Sequence, residues 1–388
     1  GDIVAEREAA FAAETTASIM EFAREQPNYS YNREDMEELD RKIAEKQAEV
    51  TDLTDQKENA EKAEATVASH KIGKGDYARW LWQNAKNDRQ LGSNPYGLAD
   101  AANILYMTGS FPQDDEERAE FVKNLRGFQN PETGLFNENT HHTYHTTAHC
   151  TAALELFDKY PLYPFTALEK FDDPKELHAL LDSLDWVISP WPQSHQGAGV
   201  FASKIIVEKQ PIEWQNAYFD YLDSHCDAKY GMSRAGALGA HPEGKFNIDH
   251  HLNGWFHYCF NYNHCHRQFP HTETFIDTLI YMYENKKLNT GCFGKSVGFR
   301  EIDWVFPINR ATWQVGYRRE EAKELMRDFA VKYTDYLNNI DVEKDDGWND
   351  LHALFGAVCC LSELQLALPG EILTTRPMKN VLDRRPFI

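Results

Sequence analysis

The chain has no apolar run approaching the ~18–20 residues that a membrane-spanning helix needs. It is also short of positive charge: 40 Lys and Arg face 61 Asp and Glu, for a formal net charge of −21. That excess repels nucleic acid and anionic lipid alike, so neither nucleic acid nor a membrane is expected as a partner, and a polyanionic substrate is disfavoured. Strand signals are nearly missing. Residues 200–207 (VFASKIIV) are the one β-like run, and they equally well open a helix. The seven cysteines (Cys150, Cys226, Cys259, Cys265, Cys292, Cys359, Cys360) are odd in number and spaced like no disulfide framework. Cys359 and Cys360 sit in apolar helical context, where a free thiol packs as a small hydrophobe. A reducing, cytoplasmic setting is expected. The start at Gly1, without Met, leaves a removed leader open. No HExxH, paired CxxC, Gly-rich phosphate loop, GxSxG elbow or dinucleotide fingerprint occurs, so the sequence calls for no cofactor beyond a divalent metal, weighed below.

What is present is a globular composition, 42% hydrophobic and 13% aromatic over 388 residues. The first 74 residues differ from the rest. Residues 34–71 are rich in Glu, Lys, Ala and Gln and contain no Gly or Pro. Met36, Leu39, Ile43, Val50 and Leu53 follow a helical stripe, which Lys46 and Lys57 interrupt. This predicts an N-terminal helical extension lying on the main domain, with an oligomerisation arm as the second reading.

From residue 75 to 388 a repeat emerges. Units at 125–157, 222–260, 284–313 and 339–368 share one grammar. An amphipathic helix ends in a polar turn, a Gly precedes a large apolar residue (Gly134-Leu135, Gly231-Met232, Gly291-Cys292-Phe293, Gly347-Trp348), and a strongly apolar helix follows. Gly suits such turns because it tolerates positive φ. Helices at 96–107 and 271–283 fit without the full turn. One-striped helices should lie outside and all-round apolar helices inside. The predicted fold is all-α: an α/α toroid of helical hairpins with an N-terminal helical extension.

Polar residues recur where the apolar helices begin: His141, His142, Tyr144 and His145; Asp249 and His250; His271 and Glu273; Arg300, Glu301 and Asp303; Asp350 and His352, with Asp100 joining the set. In a ring of hairpins these starts converge on one mouth. Asp249 and Asp350 alone read as ordinary N-caps. Histidine is a poor cap, and its recurrence in several units points to a site. His145 with His141 or His142, and His149, partly at i, i+4 spacing, offers metal ligands, as do His264, Cys265, His266 and His271. Trp348, after Gly347 at a helix entrance, is expected in the cleft.

QNPETGLF (129–136) resembles a loosened form of the Gln-x-x-x-Gly-x-Trp motif of the terpene cyclase and prenyltransferase superfamily. DLHALFGAVCCLSEL (350–364) is similar to the prenyltransferase β-subunit segment that carries a zinc-ligand His, which would be His352. The resemblance also places Asp303 on that family's ligand Asp, but Val305 stands where its ligand Cys is expected. It therefore implies the toroid more than protein prenylation. The functional expectation is a carbohydrate-active enzyme working on a neutral glycan or glycoside, with glycoside hydrolysis ahead of elimination. Asp303 with Glu273 or Asp350 would be the acid–base pair. His145 and His352 would assist, and His142, Tyr144, Asp249, His250, His271, Arg300, Glu301 and Trp348 would bind substrate. A terpene cyclase-like enzyme and a non-catalytic scaffold are the alternatives.

Overall fold

The computed structural model describes residues 41–42, 56–84, 88–242, 248–288, 293, 297–374 and 376–387. The stripe residues Met36, Leu39, Ile43, Val50 and Leu53 all lie outside them, as do Gly291 and Cys292 of the third repeat turn. The described chain is mainly α-helical; its strands form two short antiparallel ladders, β1 (Lys71–Gly73) with β2 (Asp76–Tyr77), and β3 (Cys226–Asp227) with β4 (Met232–Ser233).

Six helices touch in a closed cycle. These are α2 (Pro95–Thr108), α4 (Thr143–Glu155), α6 (Pro190–Glu208), α8 (Ile248–His264), α10 (Arg300–Val315) and α12 (Leu351–Ala367), with α12 returning to α2. The helices between them in sequence are α3 (Asp115–Arg126), α5 (Pro174–Ser183), α7 (Ile212–His225), α9 (Thr272–Glu284) and α11 (Arg319–Asn339), and they pack against cycle members or one another. Their sequences explain the sorting. On α11 the buried residues Ala322, Met326, Phe329, Ala330, Tyr333 and Leu337 make one stripe, and the remaining face is charged. On α12 the chain is buried from Leu351 through Leu364 at all but one position, so it needs apolar neighbours on every side.

Residues 200–207 belong to α6, with Val200, Phe201 and Ala202 fully buried. An all-round apolar helix resembles a strand in sequence because both lack a polar face. Helix α1 (Gln56–Ser69) packs on α2, α11 and α12 with Ala63 and Val67 in the common core. The expected boundary at residue 74 thus falls inside the β1–β2 hairpin.

Turn glycines do their expected work at two places. Gly134 has φ +75°, and a Cβ there would lie 1.9 Å from the Pro164 carbonyl oxygen; Gly231 has φ +67° against the backbone of Phe275. Gln129 pins the first of these turns. Its amide nitrogen donates to the carbonyls of Gly134 and Tyr163, and its oxygen accepts from the amides of Leu162 and Tyr163. Gly347 is different: its φ is not positive, and Asp345 organises the turn by accepting from the amides of Gly347 and Trp348.

A histidine-rich cavity as candidate active site

The N-terminal ends of four cycle helices line one cavity of about 430 Å³: His141, just before α4, and His145 on it, Trp191 and His195 on α6, Arg300, Glu301 and Asp303 on α10, and His352 with its cap Asp350 at α12. Helix α8 contributes from its middle, through Phe256 and His257. Arg79 completes the wall. The chain around it bridges to α12, with Trp80 opposite Asp350 and the Leu351 amide donating to the Arg79 carbonyl.

Tyr96, buried on α2, is the hub of the histidines. Its ring stacks on His141 and His149 at 4.7 Å and meets His352 edge-on at 4.7 Å, while its hydroxyl lies 2.6 Å from His145 Nδ1. Asp100, one turn along α2 and fully buried, accepts from His149 Nε2 at 2.8 Å and His352 Nδ1 at 3.1 Å through the same oxygen. Burial alone would raise the Asp100 carboxyl, but His352 and His149 hold it well below the usual carboxylate range. Burial lowers His352, with Asp100 opposing. On the far wall, Asp303 is held well above the usual carboxylate range by burial, reinforced by Glu301 and opposed by Arg300. The Asn253 amide, oriented to satisfy both its neighbours, donates to Asp303 Oδ2 at 3.1 Å. A carboxyl whose proton affinity is raised by burial and a carboxylate-oriented imidazole thus share one cavity.

A charged cluster braces the rim. Arg79 donates to both oxygens of Asp350 at 2.8 and 3.1 Å and to the Thr140 hydroxyl at 2.8 Å, with Glu138 3.6 Å away. Burial works to raise Glu138, but His141, Arg79 and Thr140 bring it down to about 2.

Of the residues expected in the site, the cavity gathers Asp303, Asp350, His352, His145, Arg300 and Glu301. Asp249, 3.7 Å from Arg300, and His250, with its ring 6.2 Å from Trp191, stand behind rim residues. The others lie elsewhere. Glu273 and His271 are exposed at the start of α9, which packs on α10 and α11 outside the cycle. The α9 sequence is apolar enough to pass for a cycle helix, which is why its start was counted with theirs. Trp348 is packed in the core. Tyr144 meets Phe171 edge-on at 5.8 Å. His142 is a cap after all: its Nδ1 accepts from the Tyr144 amide at 3.2 Å. His264, Cys265, His266 and His271 form no ligand cluster among the described residues; two other groups do, His145–His195–His257 and Asp100–His149–His352. Asp303 is in neither, and Val305 is fully buried, so the zinc trio implied by the prenyltransferase resemblance is not assembled.

Sequence reasoning missed Arg79, Tyr96, His195 and His257. For Tyr96, His195 and His257 the available signal was a polar group at an otherwise apolar position of a cycle helix; Arg79 precedes the first of these helices and had no such signal. His195 was hidden because α6 did not announce itself as a repeat. No protein-family model, no curated protein and no solved structure matches the chain.

The buried groups imply acid sensitivity. His251, 3% exposed on α8, is pushed by burial from 6.5 down to about 4, with the Ser233 carbonyl opposing. Between those values the unfolded chain takes up a proton that the folded chain refuses, so stability is full above about pH 6.5 and falls as pH drops toward 4. Glu138 adds a second loss, from its ordinary 4.5 toward 2. Thermal melts are expected to be flat above about pH 7 and to decline steeply below it. His251→Gln should remove on the order of 3 kcal/mol of that decline. An unchanged slope in the variant would exclude His251 as a source.

Proposed function

We propose that the helical cycle is an α/α toroid and that the chain is an enzyme moving protons on a neutral, hydroxylated, carbohydrate-like substrate held in the histidine cavity. The observation that carries this reading is Asp100 bound to His352 Nδ1, in the wall of the cavity that also holds the buried Asp303 carboxyl. An imidazole anchored through Nδ1 keeps its second nitrogen as a base, and a buried carboxylic acid is a proton donor. His352 would take a proton from a carbon or hydroxyl, Asp303 would deliver one, and Arg300 and Trp191 would hold the substrate from the rim.

Epimerisation or elimination fits these groups better than glycoside hydrolysis. Hydrolysis needs a second free carboxylate facing the acid. Glu273 is outside the cavity, Asp350 is engaged by the Arg79 fork, and Glu301 shares the first turn of α10 with Asp303 instead of facing it from another helix. A polyprene substrate would leave this many polar groups without partners, and a scaffold would have no use for them.

The test is incubation of the protein in D2O with neutral reducing sugars and short glycans, read by NMR. Deuterium exchange next to a carbonyl, or an unsaturated product, is expected for at least one compound. His352→Gln and Asp303→Asn should each slow it by about 10²–10⁴-fold. Cleavage without exchange would transfer the assignment to glycoside hydrolysis. No exchange, cleavage or binding across the panel would remove the catalytic reading.

A further inference from the structure

We infer that His145, His195 and His257 form a binding site for one first-row transition-metal dication of the zinc class. The three residues come from three successive members of the cycle, α4, α6 and α8, and their candidate ligand nitrogens all lie within 4.8 Å of one another. All three are buried, 4–6% exposed, and all three line the cavity. The ring centroids are 4.7 Å apart for His145 and His195, 5.6 Å for His145 and His257, and 5.8 Å for His195 and His257.

Three observations point to a cation. First, His195 Nε2 is buried with no hydrogen-bond partner, and the groups nearest the His257 ring on its own helix are the backbone carbonyls of Asn253 and Gly254. Orphaned buried nitrogens cost stability, and a shared cation meets the need of several imidazoles at once. Second, the trio has an outer support. His145 Nδ1 faces the Tyr96 hydroxyl at 2.6 Å, so with Nδ1–H donated to that oxygen His145 presents Nε2. This is how metal-bound histidines are usually held in tautomer and orientation. Third, the trio is dry on one side and open on the other. The Phe387 ring packs 4.9 Å from His145 and 6.1 Å from His257, closing the floor, while the cavity lies above.

The donor set selects the ion. Neutral imidazoles suit zinc, cobalt, nickel or copper, and a site without carboxylates among its ligands does not suit calcium or magnesium. Tetrahedral zinc at ~2.0–2.1 Å from each nitrogen sets the nitrogens roughly 3.4 Å apart, so the rings must draw inward through small torsional changes. Three protein ligands leave a fourth position facing the cavity, as in catalytic rather than structural zinc sites. The neighbouring Asp100–His149–His352 group is already joined by its own hydrogen bonds, which makes it the weaker candidate.

This inference shares the cavity of the proposed function and is independent of the reaction assigned there. The test uses the full chain, stripped with a chelator and titrated with zinc against a chromophoric competitor, then loaded with cobalt(II) for absorption spectroscopy. One equivalent of zinc is expected, with cobalt bands of a four- or five-coordinate imidazole site. Loss of outer support costs about 10–100-fold in affinity, so Tyr96→Phe should fall in that range, and His195→Ala or His257→Ala should exceed ~100-fold. Circular dichroism checks that each variant is folded; Tyr96→Phe and His195→Ala carry the test if the core variant His257→Ala is not. His352→Ala should retain zinc. Absence of stoichiometric binding of zinc, cobalt, nickel and copper would overturn the site, and so would zinc that survives His195→Ala but is lost in His352→Ala. Zinc binding at the trio without turnover on the sugar panel would sink the catalytic reading alone, and turnover by a protein that binds no metal would sink this one alone.

Discussion

Replacing Arg79 with alanine is expected to cost about 3–5 kcal/mol, the range seen when one partner of a buried ion pair is removed. Its side chain is 5% exposed, and it serves two carboxylates at once. Asp350 would lose a bidentate partner, and Glu138, 2% exposed, would lose the cation 3.6 Å away. The damage would spread along backbone as well as charge, because Asp350 also caps α12 by accepting from the His352 amide. Arg79→Lys keeps the charge but cannot make the fork, so it should fall between the alanine variant and the wild type. The charge account has a sign that packing lacks. Once Arg79 is gone, the stranded carboxylates protonate at higher pH, so the deficit should shrink on acidification. Urea unfolding of both proteins at about pH 7 and about pH 4 decides the matter. An equal deficit at both values would mean that lost packing against Trp80 and Tyr96, 4.3 and 4.9 Å from the guanidinium carbon, is the whole effect.

Asp100→Asn is expected to have the largest effect on turnover at the smallest cost in fold. The substitution is nearly isosteric, but the site asks one carboxylate oxygen to accept from both His149 and His352. An amide oxygen has two lone pairs and can still accept from both, but it carries no negative charge to hold the imidazolium that His352 becomes on taking a proton. With a substrate from the sugar panel, kcat should fall about 10²–10⁴-fold, and KM should change only a few-fold. Asp100 touches histidines and no substrate, so it is a positioning residue. A structural role alone would instead lower melting temperature and weaken substrate binding together. Equal losses in kcat and in substrate-induced thermal shift would therefore count against the orienting role.

The limits of the sequence reading can be traced to particular residues. His142 and His145 stand three positions apart in the same segment, yet one caps a helix from outside and the other is buried among four histidines. Both are polar groups at a helix start, and only their direction from the axis separates them. Glu273 and Glu301 were equally plausible in sequence. Cycle membership separates them, since α9 and α10 differ in which neighbours they meet, not in local composition. Asp303 and His352 were legible because a carboxylate and an imidazole inside otherwise apolar helices violate the pattern around them.

By itself, the sequence determined the helical class, the alternation of one-striped with all-round apolar helices, and the helix starts where ionisable groups recur. These are properties of local spacing, which a period near 3.6 residues transmits directly. Only the tertiary structure decided which starts share a cavity, which histidine is a cap, and that Asp100 orients His352 across 252 positions of sequence. It also decided that His145, His195 and His257 meet. Their encounter depends on the cycle closing, and closure is set by how buried faces pack over long separations. No local window contains that information.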